Sequence, residues 1–130
     1  MFQVRVVDTN VVLRHLLRDV EELASEADKI FREAALGSFR LFMPHAVVAE
    51  VVYVLTKGYK VPKEEVSDIL RKMLEYRGLD VQEKDVVSKA LELFASTKGL
   101  SFVDCMLCAF KLLRGMELIS FDKDLLKKCP

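Results

Sequence analysis

The stretch Val4-Arg5-Val6-Val7-Asp8-Thr9-Asn10-Val11-Val12-Leu13 constrains this chain more than any other. An apolar, β-branched run stops at a carboxylate, a short polar pair follows, and a new apolar run begins. Val4, Val6 and Val7 suit a strand buried on both faces of a parallel sheet. Asp8 then stands at the carboxyl end of that strand, where a helix opens. Ligands of open α/β sheets bind at this edge. On its own, Asp8-Thr9-Asn10 reads as a helix N-cap, because a strand-to-helix turn needs one. Asp8 acquires chemical meaning only if other carboxylates reach the same place.

The rest of the chain repeats the alternation. Val11 to Leu17 predicts a short helix. Asp19 with Glu22 reads as a capping box for a second one, with Val20, Leu23, Ala24, Ala27, Ile30, Phe31 and Ala34 at helical spacing and Gly37 as its stop. Phe39 to Met43 predicts a second strand, and Pro44 opens a helix over His45 to Lys57 that is apolar nearly all round. Another helix follows Pro62, with Glu64 and Glu65 at the positive end of its dipole. Leu79 to Val81 predicts a third strand, and Val86 to Ala95 an amphipathic helix. Ser101 begins a heavily apolar helix that Gly115 ends. Glu117 to Ser120 predicts a fourth strand, and Leu125-Leu126 a terminal helical turn. Strands alternating with helices imply an α/β fold, with a parallel sheet covered by helices on both faces.

With 130 residues, 52% of them hydrophobic, the chain is sized for one domain with a substantial core. Lys and Arg number 20, as do Asp and Glu, so there is no bulk basic field of the kind many nucleic-acid binders use. A local basic rim or a bound metal can still serve such a substrate. Arg14, Arg18, Lys57, Lys111 and Lys123 are candidates for guiding a phosphate backbone, although each taken singly reads better as a solvated surface charge. No apolar run is long enough to span a bilayer and no secretion signal is visible, so the expected compartment is the cytoplasm. The three cysteines, Cys105, Cys108 and Cys129, are odd in number and argue against a disulfide framework. Cys105 and Cys108 lie within an apolar helical pattern and read as packing.

Four carboxylates sit where a simple fold has little use for them. Glu50 lies among Ala46, Val47, Tyr53 and Val54, and an unpaired carboxylate on an apolar face is costly to bury. Asp104 is the only charge between Lys98 and Lys111, although Ser101-x-x-Asp104 also fits a capping box. Asp122 and Asp124 follow the fourth strand as Asp8 follows the first. Taken singly, capping and turn roles explain most of them. Taken together, Asp8, Glu50, Asp104 and Asp122 can converge on one cleft. Two carboxylates about 4 Å apart repel by about 4 kcal/mol at an effective dielectric near 20. Such a cluster takes up protons or recruits a cation. An all-oxygen set suits Mg²⁺ or Mn²⁺, and neither His15 nor His45 is needed.

On these residues the chain resembles the PIN-domain ribonucleases, in particular the short toxins of VapBC-type toxin–antitoxin pairs. Val7-Asp8-Thr9-Asn10 is similar to the family's first acidic motif, and Pro44 through Glu50 with Val51 to Leu55 to its second. Ser101-Phe102-Val103-Asp104 is similar to the third, and Ile119-Ser120-Phe121-Asp122-Lys123-Asp124 to the fourth. The resemblance implies a single PIN domain over residues 1–130, a three-layer α/β/α fold with a parallel sheet of order 3-2-1-4, sometimes with a fifth strand. It implies Asp8, Glu50, Asp104 and Asp122 as the acidic, metal-holding site, with Thr9, Asn10, Ser120 and Asp124 as auxiliaries. It further implies metal-dependent hydrolysis of RNA, a small antitoxin partner and a homodimer.

Three other readings stand beside this one. A housekeeping RNA-processing nuclease would use the same acids. A PIN-like scaffold would bind RNA or protein without catalysis. Phosphoryl transfer through Asp8 as a nucleophile is a different chemistry, but enzymes of the haloacid-dehalogenase type need an Asp where this chain has Asn10.

Overall fold

The protein is seen in a computed structural model, and residues 3–130 are the ones described. Three strands form a parallel sheet in the order β1 (Val4–Val6), β2 (Arg40–Met43), β3 (Leu79–Val81). Val4 aligns with Arg40, and Phe42 with Asp80. The helices are α1 (Thr9–Leu17), α2 (Glu21–Ala35), α3 (His45–Tyr53), α4 (Lys63–Met73), α5 (Lys84–Ser96), α6 (Phe102–Arg114) and α7 (Lys123–Lys128).

Side-chain alternation fixes which face of the sheet is buried. Leu41 and Met43 of β2 and Leu79 and Val81 of β3 point into the core. Arg40 and Asp80 point the other way, and the Arg40 guanidinium joins the Asp80 carboxylate across the strands. That pairing holds the Asp80 carboxyl below the usual carboxylate range. Helix periodicity does the same for α4, where Val66, Leu70 and Met73 are buried. Its first turn carries Glu64 and Glu65 and its last Arg71 and Lys72, both complementary to the dipole. Val12, Met43, Val48, Val52, Leu70, Leu91 and Cys105 share one core. Fully burying a side chain of this size contributes about 1.5–3 kcal/mol.

Several expectations need correction. The fourth strand is not formed among the described residues: 117–120 has no strand partner, and β1 lies at the sheet edge instead of inside it. Only Leu118 of that segment packs on the core, and Ile119 is 86% exposed, so little holds the segment against β1. For the same reason β1 is not buried on both faces. Val4 and Val6 are 60% and 69% exposed, and only Val7, just beyond the strand, turns inward.

The third correction concerns the start of α2. Asp19 does not cap this helix, whose N-cap is Val20. Its carboxylate instead accepts from the Arg14 guanidinium at 2.8 Å. Last, Cys108 is more than packing. It forms a disulfide with Cys129 across Cα atoms 5.4 Å apart, a separation such bonds favour. Cys105 stays free and buried, and burial pushes its thiol up to about 11.

The helix expected over His45 to Lys57 is in fact two pieces. After Tyr53 the backbone passes into a single π-helical turn, Val54–Gly58. The Thr56 hydroxyl donates to the Val52 carbonyl at 2.7 Å inside it. A wider turn of this kind is rare, and is frequently found at functional sites.

Candidate active site

Capping explains two of the four acids and fails for the other two. Asp8 occupies the N-cap position of α1 in extended backbone, yet its side chain makes no capping hydrogen bond. It lies exposed between β1 and α1. Glu50, exposed in the second half of α3, has no hydrogen bond or ion pair among the described residues. It reaches solvent from the edge of the helix, so the cost expected for burying it does not arise.

Asp104 and Asp122 both cap, and both keep an oxygen back. Ser101 Oγ accepts from Asp104 N at 3.1 Å, and Asp104 Oδ2 accepts from Ser101 N at 3.1 Å, which completes the capping box expected from the sequence. Asp122 Oδ1 accepts from Asp124 N at 3.0 Å and from Leu125 N at 3.1 Å. Asp104 Oδ1 and Asp122 Oδ2 remain available. The auxiliary residues divide. Thr9 is buried, and Asn10 faces a small cleft between α1 and α2. Ser120 Oγ accepts from Asp122 N at 2.9 Å and so shapes the turn before α7. Asp124 is committed to Lys128, whose Nζ lies 3.0 Å from its carboxylate.

The helices at Asp8, Glu50 and Asp104 adjoin. α3 packs against α1 on one side and α6 on the other. A cleft of about 360 Å³ lies between α3 and the start of α6. Ala49 and Tyr53, around Glu50, line it, as do Ser101 and Val103 just before Asp104. The carboxylates themselves are not drawn into one cluster. Among the described residues no three Asp, Glu, His or Cys side chains form a group able to hold a metal ion.

The candidate basic residues are unequal. Arg14 is paired with Asp19, Arg18 with Asp28, and Lys111 Nζ donates to the Pro130 carbonyl. Lys57, on the π-turn, lines the cleft without an ion pair among the described residues. Lys63 reaches the same cleft, with its Nζ 4.6 Å from the centre of the Phe94 ring.

A second polar cluster was not legible in the sequence. His15 Nδ1 lies 2.7 Å from Asp28 Oδ1 and His15 Nε2 lies 2.8 Å from Tyr76 Oη, tying α1, α2 and the end of α4 together. The hydrogen bond from His15 is the main cause holding the Asp28 carboxyl low, and burial pushes the Tyr76 hydroxyl up. These residues lie 13 and 61 positions from His15, so no local pattern reveals them.

A parallel sheet whose first strand ends at an exposed, non-capping aspartate, beside helices that carry three more acids, matches a known architecture. The chain belongs to the PIN domain family, whose model matches residues 5–129. It is similar to the VapC ribonuclease of Aquifex aeolicus (strain VF5), with 28% identity over 120 residues, covering 92% of this chain and 87% of that protein. No solved structure matches. No helix among the described residues is long and apolar enough to cross a membrane.

Proposed function

We propose that the chain is a single-domain, divalent-metal-dependent endoribonuclease of the PIN type, serving as the toxin of a toxin–antitoxin pair. Support comes from family membership and from the similarity to a VapC ribonuclease. The observation that carries the reading is Asp8, an exposed carboxylate at a helix N-cap that does not cap. A residue type favoured for capping, placed at the cap and not capping, is explained by a role outside the fold.

By kind the donors suit a hard cation, although the four side chains stand apart. Asp8 and Glu50 offer whole carboxylates, and Asp104 and Asp122 one oxygen each, all suited to Mg²⁺ or Mn²⁺. Such an ion, when bound, would activate water and stabilise the leaving oxygen of the phosphodiester. The chain's own residues do the remaining work. Ser101 and Ser120 hold Asp104 and the Asp122 backbone in place through the bonds described above. Lys57 supplies positive charge in the cleft between α3 and α6 for the RNA backbone, while Lys63 Nζ donates to the Leu100 carbonyl at 3.2 Å. A small antitoxin occluding the acidic side, a homodimer and a cytoplasmic location belong to the same proposal.

The dispersal of the acids favours a second reading, a PIN-like scaffold that binds without cleaving. Mn²⁺ titration by calorimetry, with RNA cleavage by wild type and Asp8→Asn in parallel, separates the two. The nuclease reading expects Mn²⁺ binding and cleavage in wild type, and loss of both in the variant. Equal metal-dependent cleavage by the two proteins would remove Asp8 from the chemistry. Absence of Mn²⁺ binding in wild type would leave the scaffold.

A further inference from the structure

The Cys108–Cys129 disulfide has no part in the reading above, and its position suggests one. α7 is six residues long, too short to hold itself together in water. The segment before it, 116–121, is largely exposed, and Phe121 is fully so. What fastens α7 is Leu125, buried in the core, Cys129 at its C-cap, covalently joined to α6, and the bond from Lys111 Nζ on α6 to Pro130. Cys108 lies four residues after Asp104, on the same face of α6. Asp122 is the N-cap of α7. One covalent bond thus joins the helix that carries Asp104 to the helix that Asp122 opens.

We propose that this disulfide is a redox-sensitive clamp that docks α7 on α6 and so positions Asp122 relative to Asp104. Its consequence for the site rests on the reading of Asp122 as a metal-holding acid. The release step is thiol–disulfide exchange with a dithiol. One thiolate of the reagent attacks the sulfur of Cys129, a residue 8% exposed against 0% for Cys108, and displaces the Cys108 thiolate, which takes up a proton. The reagent's second thiol then closes on the first, freeing Cys129 as a thiol and leaving the reagent oxidised by two electrons. Oxidation by a disulfide reagent runs the same steps backwards. Cys105, whose thiol burial keeps protonated, does not take part.

The test is hydrogen exchange read by mass spectrometry on the full chain, oxidised and then reduced by a dithiol, with Mn²⁺ titration of both forms. Reduction is expected to raise exchange of the α7 amides about tenfold while α4 and α5 keep their protection. The Mn²⁺ dissociation constant should rise by a similar factor, because affinity falls with the docked fraction. Cys129→Ser should show the reduced behaviour without reductant, and Cys105→Ala should respond like wild type. Three alkylatable thiols in the unreduced, unfolded protein would overturn the clamp, as would unchanged α7 exchange on reduction. Loosening of α7 with no Mn²⁺ binding in either form would uphold the clamp and overturn the metal-site reading.

Discussion

Replacing Gly78 with alanine probes the contact that sets the sheet's register, and Gly37→Ala supplies its control. Both glycines have strongly positive φ, +83° and +91°. An L-residue there pays about 1–2 kcal/mol in backbone strain. Their surroundings differ. A Cβ on Gly78 would overlap the Ala34 carbonyl at the end of α2 and come within 3.0 Å of Ala35 N, both backbone. A Cβ on Gly37 meets nothing within 4 Å. Backbone cannot rotate aside, so β3 or the end of α2 must shift, at a further cost of about 1–3 kcal/mol. The Gly78 carbonyl also accepts from Leu41 N at 2.9 Å, the bond that starts the β2–β3 ladder. That ladder leads through Met43 and Pro44 into α3 and Glu50. Gly78→Ala is therefore expected to destabilise by about 2–5 kcal/mol and Gly37→Ala by about 1–2. The entropy that alanine removes from the unfolded chain is common to both and cancels in the difference. Urea unfolding at equal m-values measures that difference directly. Agreement of the two variants within about 0.5 kcal/mol, inside the additive noise of such measurements, would refute the Ala34 contact.

Other consequences are equally open to measurement. Cys108 and Cys129 lie 21 residues apart, so reduction should cost about 3 kcal/mol of loop-closure stabilisation and lower the melting temperature by roughly 10 °C in calorimetry; an unchanged Tm would contradict this. Asp85 is held at about 2, below its ordinary 3.8, chiefly by its hydrogen bonds from Arg114. The unfolded chain then binds the proton more readily, so this contribution is full above 3.8 and is lost as the pH falls toward about 2. Arg114→Gln should flatten the stability profile across that window, and an unaltered acid limb in denaturant titrations would sink the assignment. His15→Leu leaves Tyr76 Oη without its ring partner and Asp28 with Arg18 alone, for an expected loss of about 1–3 kcal/mol. Thermal unfolding of the variant at neutral pH reads that loss, and a shift near zero would mean that water replaces the imidazole.

What the chain states about itself is what depends on neighbours a few positions away. Alternation in Leu41-Phe42-Met43 and Leu79-Asp80-Val81 places those strands, because successive side chains point to opposite faces. Ser101-x-x-Asp104 announces its capping box, since both partners lie within one turn. The same local logic misled at Asp19, where an arginine five residues back outcompeted the cap. It also misled at Glu117 to Ser120, whose β-like composition finds no pairing partner, because strand pairing is decided by distant backbone. The Cys108–Cys129 bond and the His15–Asp28–Tyr76 cluster needed the folded chain to bring remote groups together. Asp8 and Glu50 show the division most sharply. Their positions were readable from residue order, but that neither carboxylate has a structural partner among the described residues is a fact of three-dimensional surroundings alone.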